Sequence, residues 1–167
     1  RQHRPGYRGQ IAKEIPTLAE IMKENGYTTY MAGKWHLTVD GAWKPKDSTP
    51  NGSYPTQRGF DGYYGSLSGA GNFYSPKAVY RNEEKVTKFS KGYYYTDAIN
   101  EHSVEFILNH EGTSPFFLYV AHYAPHRPLQ APEERIEACR ERYRVGYDVL
   151  RQERYKRLKE MGLVGSK

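Results

Sequence analysis

The chain has 167 residues, a length sufficient for one domain with a hydrophobic core. Its formal net charge is +6, and 37% of its residues are hydrophobic. It contains no Lys/Arg run typical of nuclear targeting or heparin binding and no recognised nucleic-acid motif, so we interpret the charge as an ordinary basic surface. No apolar run reaches membrane-spanning length. The single cysteine, Cys139, excludes an internal disulfide and a cysteine-based zinc site.

The start of the chain is polar and carries neither an initiator methionine nor a signal peptide. We therefore expect the chain to be an internal piece of a longer protein. The compartment of that protein cannot be predicted from these residues.

The first predicted element is a helix that leads through a tight turn into a strand. Thr17 and Glu20 have the spacing of a capping box, in which each side chain bonds the backbone N–H of the other residue. Three apolar residues at helical spacing follow: Leu18, Ile21 and Met22. Gly26 is typical of a helix end. Residues 27–32 are rich in β-forming residues and end at Gly33, which predicts a strand.

Residues 40–92 contain many Gly, Pro, Ser and Asn residues and few apolar runs, which predicts mostly loop. A structureless connection of that length is unusual in a compact domain. The segment is therefore either a functional insertion or contains short strands that the pattern does not locate. Residues 78–80 and 85–89 are candidates for a small hairpin around residues 82–84.

A second helix is predicted from Asp97 to about His110, with Thr96 as its N-cap. Four residues share one face of this helix: Ile99, Ser103, Phe106 and Ile107. Residues 115–121 form a continuous apolar run, which is typical of a strand buried on both faces of a parallel sheet. Because a helix followed by a strand occurs twice, we predict an α/β fold with part of a mostly parallel sheet flanked by helices.

Helical spacing returns over residues 136–158, after a proline-rich loop at residues 124–132, and Gly146 divides it into two helices. Cys139 lies on the apolar stripe of the first of these helices. We expect it to be a core residue and not a nucleophile. The basic residues of this stretch alternate with acidic ones, which predicts a solvated helix face with ion pairs.

Two loops directly follow the predicted strands, and open α/β sheets bind ligands beyond the carboxyl ends of their strands. In the first loop, Lys34 supplies a fixed positive charge, and His36 can transfer a proton near neutral pH. Both side chains can point toward one anion, although the spacing alone fits a surface lysine beside a packed tryptophan equally well. The loop is not a P-loop, because nothing matches G-x-x-x-x-G-K-[ST].

The second loop contains His122 and His126, four residues apart. On a helix this spacing would suggest a metal pair, but Pro125 and Pro128 argue against a helix there. We expect the prolines to stiffen the loop and to hold His126 over the sheet edge, with His122 in a structural role. Asp61 has no second carboxylate nearby in the sequence, so a calcium site is not predicted there.

Four blocks of the chain follow one another in a recognisable order. The first includes IPTLAE, GYTTY and GKWHL within residues 15–37, and the second is RGFDGYYG at residues 58–65. The third is PFFLYVA at residues 115–121 with APHRPL at residues 124–129, and the fourth is YDVLRQER at residues 147–154. Together they resemble the sulfatase family, especially its arylsulfatase A-like branch, over nearly the whole chain.

The resemblance implies that residues 1–167 are the central part of a single catalytic domain of the alkaline phosphatase/sulfatase type, incomplete at both ends. Members of this family hydrolyse sulfate esters with a formylglycine and a calcium ion held by Asp and Asn side chains. By matching motif, Lys34 would contact sulfate, His36 would assist sulfate release, and His126 would hold a sulfate oxygen or protonate the leaving alcohol. The partner would be a sulfated small molecule or a sulfated glycan, in a secreted, periplasmic or lysosomal protein.

The chain also departs from the family pattern, because it contains no C-x-P/A-x-R or S-x-P/A-x-R motif, and the residues after Cys139 do not fit one. We expect the modified residue upstream of Arg1, the calcium ligands outside this segment, and no sulfatase activity from the segment alone. Two alternatives stay open: a phosphate or phosphonate ester hydrolase of the same superfamily, and a non-catalytic relative that binds anions or glycans.

Overall fold

The computed structural model describes residues 9–38 and 52–165. Residues 40–51, the first part of the long predicted loop, therefore lie outside the described residues. Contacts divide the chain into two units, residues 1–130 and residues 131–167. No helix in the described ranges combines the length and the apolar character needed to cross a membrane.

Helix α1 (Leu18–Glu24) begins where the capping box predicts it. The Glu20 N–H donates to Thr17 Oγ1 over 3.1 Å, and the Thr17 N–H donates to Glu20 Oε2 over 2.6 Å. The chain turns at Gly26, where φ is 84°, and enters strand β1 (Thr28–Gly33). The strand begins and ends one residue later than the sequence pattern predicts.

Four further strands join β1 in one mixed sheet: β2 (Gly62–Ser66), β3 (Val79–Arg81), β4 (Glu84–Lys85) and β5 (Phe116–Ala121). Their order across the sheet is β4-β3-β2-β1-β5. Strand β1 pairs in parallel with both β2 and β5, whereas β3 runs antiparallel to β2 and β4. The carboxyl ends of β1, β2 and β5 consequently meet at one edge of the sheet.

Strand β2 lies in the segment that the sequence predicts as loop. It contains Gly62 and Gly65, which normally weaken a strand. A Cβ atom at Gly65 would lie 1.8 Å from the Gly33 carbonyl oxygen, so only glycine fits where the two strands approach each other. The predicted hairpin is present as β3 and β4, with a shorter second strand.

Helix α2 (Tyr95–Leu108) starts before its predicted N-cap. Tyr94 is the N-cap residue, and the Tyr95 N–H donates to the Phe73 carbonyl over 2.8 Å. Thr96 therefore lies inside the first turn, and its buried hydroxyl has no hydrogen-bond partner among the described residues. The prediction of Thr96 as cap is wrong because burial of the Tyr95 ring, and not a capping side chain, sets the start of the helix.

The two faces of β1 contribute to different hydrophobic clusters. Met31 packs with Tyr63 and Trp35 in one cluster, and Ala32 packs with Tyr64 and helix α2 residues in the other. Tyrosines fill much of both clusters, including seven that are buried: Tyr54, Tyr63, Tyr64, Tyr80, Tyr94, Tyr95 and Tyr123. Packing is thus the main use of the tyrosine-rich composition in the described part of the chain.

Strand β5 occupies the predicted place but is not buried on both faces. Of its residues only Ala121 is buried, and Phe116, Tyr119 and Val120 are exposed. Within the described residues, β5 pairs with β1 alone and forms the edge of the sheet, and its faces are not fully covered by other elements. Its apolar run matches a central strand, but here one side of it has no pairing strand.

The second unit consists of helices α3 (Glu133–Tyr143) and α4 (Tyr147–Glu160), which Gly146 separates as predicted. Ion pairs lie along them, including Arg144 with Glu141 at 2.7 Å. Neither helix buries a residue, and Cys139 is exposed. The prediction of Cys139 as a core residue is wrong, because within the described residues the two helices of this unit leave their apolar stripes unenclosed.

We expect Cys139→Ser to change the free energy of unfolding by less than about 0.5 kcal/mol, because the side chain is exposed and has no packing role. Chemical denaturation of the full-length protein measures this. A loss of about 2 kcal/mol or more would show that residues elsewhere in the full-length protein bury the thiol.

Candidate active site

The loop after β1 is fixed at the carboxyl edge by backbone bonds to both neighbouring strands. The Lys34 N–H donates to the Ala121 carbonyl over 2.8 Å, and the Trp35 N–H donates to the Ser66 carbonyl over 3.0 Å. Gly33 has φ of 121°, and a Cβ atom there would lie 1.9 Å from the Ala121 oxygen. Glycine is therefore required for the chain to leave β1 between its neighbours.

The side chains of this loop separate into a buried anchor and exposed polar groups. Trp35 is buried, and its Nε1 donates to the Ser53 carbonyl over 2.8 Å. His36 is exposed and has φ of 58°, a left-handed conformation that few non-glycine residues adopt. Its ring lies against Gly69, where an added Cβ atom would come within 2.1 Å of His36 Cε1. The imidazole ring thus packs directly on the backbone of the turn that contains Gly69.

His126 lies in the loop after β5. Its N–H donates to the Tyr123 carbonyl over 3.0 Å, which closes a turn. Its Nδ1 lies 2.7 Å from the Arg127 carbonyl oxygen. Since a carbonyl oxygen only accepts, Nδ1 carries the proton in this contact, and any proton exchange with a ligand must use Nε2.

His36 and His126 line the same cavity, which has a volume of about 270 Å³. The other lining residues come from the end of the first loop and from the turn after β2: Thr38, Leu67, Ser68, Gly69 and Ala70. The structure thus brings together two of the three side chains that the sequence singles out, although they are ninety positions apart in the chain. Both belong to loops at the carboxyl edge of the parallel strands, as predicted.

Lys34 does not line this cavity, but its ammonium lies near the ring of Tyr123, which stacks with the His126 ring that does. Its Nζ lies 6.0 Å from the centroid of the Tyr123 ring, a distance at which a cation is attracted to an aromatic face. The same ring lies nearly parallel to that of His126, with centroids 6.4 Å apart and an interplanar angle of 25°. Tyr123 therefore lies close to both Lys34 and His126.

The charge around the cavity favours an anionic ligand. None of its lining residues carries a carboxylate, and Lys34 stands nearby as a fixed cation. Burial raises the pKa of Tyr123, against the lowering effect of its bonds to Ser66 and Ser68, so this hydroxyl stays neutral. In the described ranges, no three His, Cys, Asp or Glu side chains form a group that could hold a metal ion.

Sequence reasoning missed Tyr123 and Gly69. Tyr123 is one of 16 tyrosines, and nothing in its spacing separates it from those that only pack. Gly69 belongs to a Gly- and Ser-rich stretch, which predicts only a loop. Both become visible when the three carboxyl ends are assembled, because their importance lies in contacts between distant segments.

Comparison with known proteins gives a consistent result. A profile of the Sulfatase family matches residues 1–162. An uncharacterized sulfatase of Schizosaccharomyces pombe is 35% identical over 176 aligned positions, covering 96% of this chain and 30% of the relative. Mouse arylsulfatase J is 37% identical over 147 positions, covering 82% of this chain and 23% of that protein.

A solved structure of Ps i-CgsB in complex with k-i-k-neocarrahexaose has a TM-score of 0.61 and 28% identity, covering 76% of this chain and 30% of that one. The chain spans less than a third of the length of each of these relatives. Its sheet and helices are part of the alkaline-phosphatase-like α/β fold of the sulfatase structures. The match over almost every residue shows that the chain belongs to the sulfatase family.

Proposed function

We propose that the full-length protein is a sulfuric ester hydrolase in which Lys34, His36 and His126 act on the sulfate group and the leaving alcohol. The observation that carries this proposal is that His36 and His126 line one cavity beside Lys34, in a chain of the sulfatase family. Cleavage of a sulfate ester develops negative charge on the sulfate oxygens and on the leaving oxygen. A fixed cation and groups that hold or transfer protons are what that charge distribution requires.

The proposed roles follow from the chemistry of each side chain. Lys34 stabilises charge on sulfate, because its ammonium group is a compact positive charge with three hydrogen-bond donors. His126 exchanges a proton through Nε2 with the leaving oxygen or holds a sulfate oxygen, since Nδ1 is occupied by the Arg127 carbonyl. The role of His36, assistance in the release of sulfate, is the one that the family resemblance implies.

Calcium and formylglycine belong to the family mechanism. The residues in the described ranges do not fit a calcium site, because they include no group of three or more metal ligands. The chain also contains no sequence motif for the modified nucleophile. Both would come from residues outside those described, and none of the roles above passes through the metal.

The direct test is turnover by the full-length protein of 4-nitrophenyl sulfate and 4-nitrophenyl phosphate. We expect hydrolysis of the sulfate ester in preference to the phosphate. The reverse preference would favour a phosphate or phosphonate ester hydrolase. Binding of inorganic sulfate without turnover of any ester would favour a non-catalytic relative. Sulfated oligosaccharides belong in the same panel, because one structural relative is solved with a neocarrahexaose.

Gly69→Ala tests the position of the His36 ring. The new methyl group would overlap three ring atoms of His36, at 2.1, 2.2 and 2.5 Å, so the imidazole must move. Because the ring is the end of a flexible side chain, we expect little loss of stability but a fall in kcat of about 10- to 100-fold. Steady-state kinetics and a melting curve of the full-length protein measure the two effects.

The matched control for this change is Gly165→Ala. An added Cβ atom at Gly165 meets nothing within 4 Å, so its kcat should match that of the unchanged protein. Unchanged kcat in Gly69→Ala would remove His36, in its present position, from the reaction.

A further inference from the structure

Tyr123 lies at the junction of the three segments that form the candidate site. It is 2% exposed and follows β5 by two residues. The Lys34 ammonium lies 6.0 Å from the centroid of the Tyr123 ring, and the His126 ring stacks near it with centroids 6.4 Å apart. Its hydroxyl lies 3.4 Å from the Ser68 carbonyl oxygen, to which it donates a long hydrogen bond.

The Ser68 contact connects Tyr123 to the third candidate side chain. Ser68 precedes Gly69, whose backbone supports the His36 ring. On the far side of the same turn, a Cβ atom at Gly71 would lie 3.3 Å from the Tyr123 hydroxyl oxygen. The hydroxyl thus lies against the backbone of the turn on which the His36 ring packs.

The Tyr123 side chain is itself fixed by aromatic neighbours. The Tyr95 ring meets it edge to face, with centroids 5.0 Å apart and an interplanar angle of 90°. The Phe73 ring packs at 5.6 Å. Edge-to-face and offset arrangements are the favoured geometries for aromatic pairs, so the ring has little freedom to rotate away.

These contacts address a problem that the site presents. A lysine has a flexible four-carbon stem, and the exposed His126 ring is held on its own loop by the Nδ1 contact with the Arg127 carbonyl, so the position of the two groups relative to each other depends on what lies between them. Electrostatic stabilisation of a reaction requires groups that are already in place, and a misplacement of about 1 Å can reduce the rate by about 100-fold.

We propose that Tyr123 is a positioning residue, whose buried ring sets the Lys34 ammonium and the His126 imidazole relative to each other, while its hydroxyl adds only a weak contact to the turn that supports His36. This inference rests on the proposed function for its kinetic consequences, but its structural content is independent of it. Tyr123 need not touch substrate, since its effect passes through the three side chains around it.

The test compares two replacements in the full-length protein. Tyr123→Phe keeps the ring and loses only the hydroxyl bonds to Ser66 and Ser68, so kcat should stay within about threefold of the unchanged enzyme. Tyr123→Leu loses the aromatic surface under Lys34 and His126, so kcat for 4-nitrophenyl sulfate should fall by about 10- to 100-fold. If Tyr123→Leu is too unstable to purify, Tyr123→Met carries the same expectation, because methionine fills irregular gaps more easily.

Tyr80→Leu is the matched control for a lost buried tyrosine. Tyr80 is 1% exposed and packs on Tyr54 in the other hydrophobic cluster. Tyr80→Leu should lower the melting temperature about as much as Tyr123→Leu does. The kcat of the folded Tyr80→Leu enzyme should stay within about twofold of that of the unchanged enzyme. Equal losses of kcat in Tyr80→Leu and Tyr123→Leu would overturn the positioning role.

Crystal structures of the full-length variants separate this inference from the proposed function. We expect the Lys34 and His126 side chains to be displaced in Tyr123→Leu and unmoved in Tyr123→Phe. Unmoved side chains in Tyr123→Leu would overturn the inference, even if the enzyme is active. If the unchanged protein hydrolyses no sulfate ester, the proposed function fails, while the crystal structures still decide the role of Tyr123.

Discussion

Replacing Arg58 by methionine is expected to lower the free energy of unfolding by about 3 kcal/mol, because it removes the buried arginine of a partly buried ion pair and leaves its acceptors unpaired. The Arg58 side chain is 4% exposed, and its Nε lies 2.8 Å from Glu20 Oε1. Its guanidinium also donates to the carbonyls of Ile11 and Ile15, over 3.1 and 2.7 Å. Methionine fills a similar volume but leaves all three acceptors without this donor.

Urea denaturation of the full-length protein measures the effect, with Arg81→Met as the control. Arg81 pairs with Glu105 at the surface, where its side chain is 53% exposed, so its loss should change stability by less than about 1 kcal/mol. Similar values for the two variants would show that the Arg58 pair contributes no more than a surface contact.

The pH dependence gives a second check on the same pair. The hydrogen bond from Arg58 holds the pKa of Glu20 below its ordinary value of 4.5, although burial opposes this. A carboxyl group whose folded pKa is lowered stabilises the protein above its unfolded pKa and loses that contribution as the pH falls through the folded pKa. The difference between the unchanged protein and Arg58→Met should therefore shrink below pH 4.5.

Lys34→Ala is expected to reduce kcat/KM for a sulfate ester by roughly 100-fold, equivalent to about 3 kcal/mol of transition-state stabilisation. The reason is that Lys34 is the fixed cation beside the cavity that His36 and His126 line. The loss should appear mainly in kcat if the ammonium contacts charge that develops during the reaction.

Lys23→Ala is the control for the loss of a lysine. Lys23 lies on helix α1, is 52% exposed and pairs with Asp61 at 2.5 Å, so its removal should leave kcat/KM unchanged. Equal kcat/KM values for Lys34→Ala and Lys23→Ala would place Lys34 outside the site.

Local signals predicted those elements that local interactions determine. The Thr17–Glu20 capping box sets the start of α1, and Gly146 separates α3 from α4. Thr96 shows where a local signal fails, since a tertiary contact of Tyr95 moves the start of α2. Strand β2 was missed because its glycines look like loop residues in the sequence. At least one of them, Gly65, is required because a strand distant in sequence approaches it closely.

The candidate site also has a part that the sequence predicted and a part that it could not predict. The sequence was sufficient to find three site residues: Lys34, His36 and His126. Each lies in a loop after a strand that is recognisable from the composition of the strand, and the family resemblance implied their roles. The sequence predicted that β5 is buried on both faces, and this prediction is wrong. The apolar run of β5 does not show which elements adjoin the strand. The support that Gly69 and Tyr123 give to the histidines depends on contacts across the sheet edge, which no single segment encodes.

The register of the parallel strands has a consequence for folding. Thr28 of β1 pairs with Phe116 of β5, and Gly33 pairs with Ala121, so the ladder beside the site joins residues from opposite ends of the first unit. Such non-local pairings form late, because the entropy of closing the intervening loop must be lost before the contacts form. The cavity between His36 and His126 should accordingly be among the last features to appear during folding. In a partly unfolded protein the histidines separate as soon as β5 leaves β1, so catalytic activity should be lost earlier than helical circular dichroism as denaturant is raised.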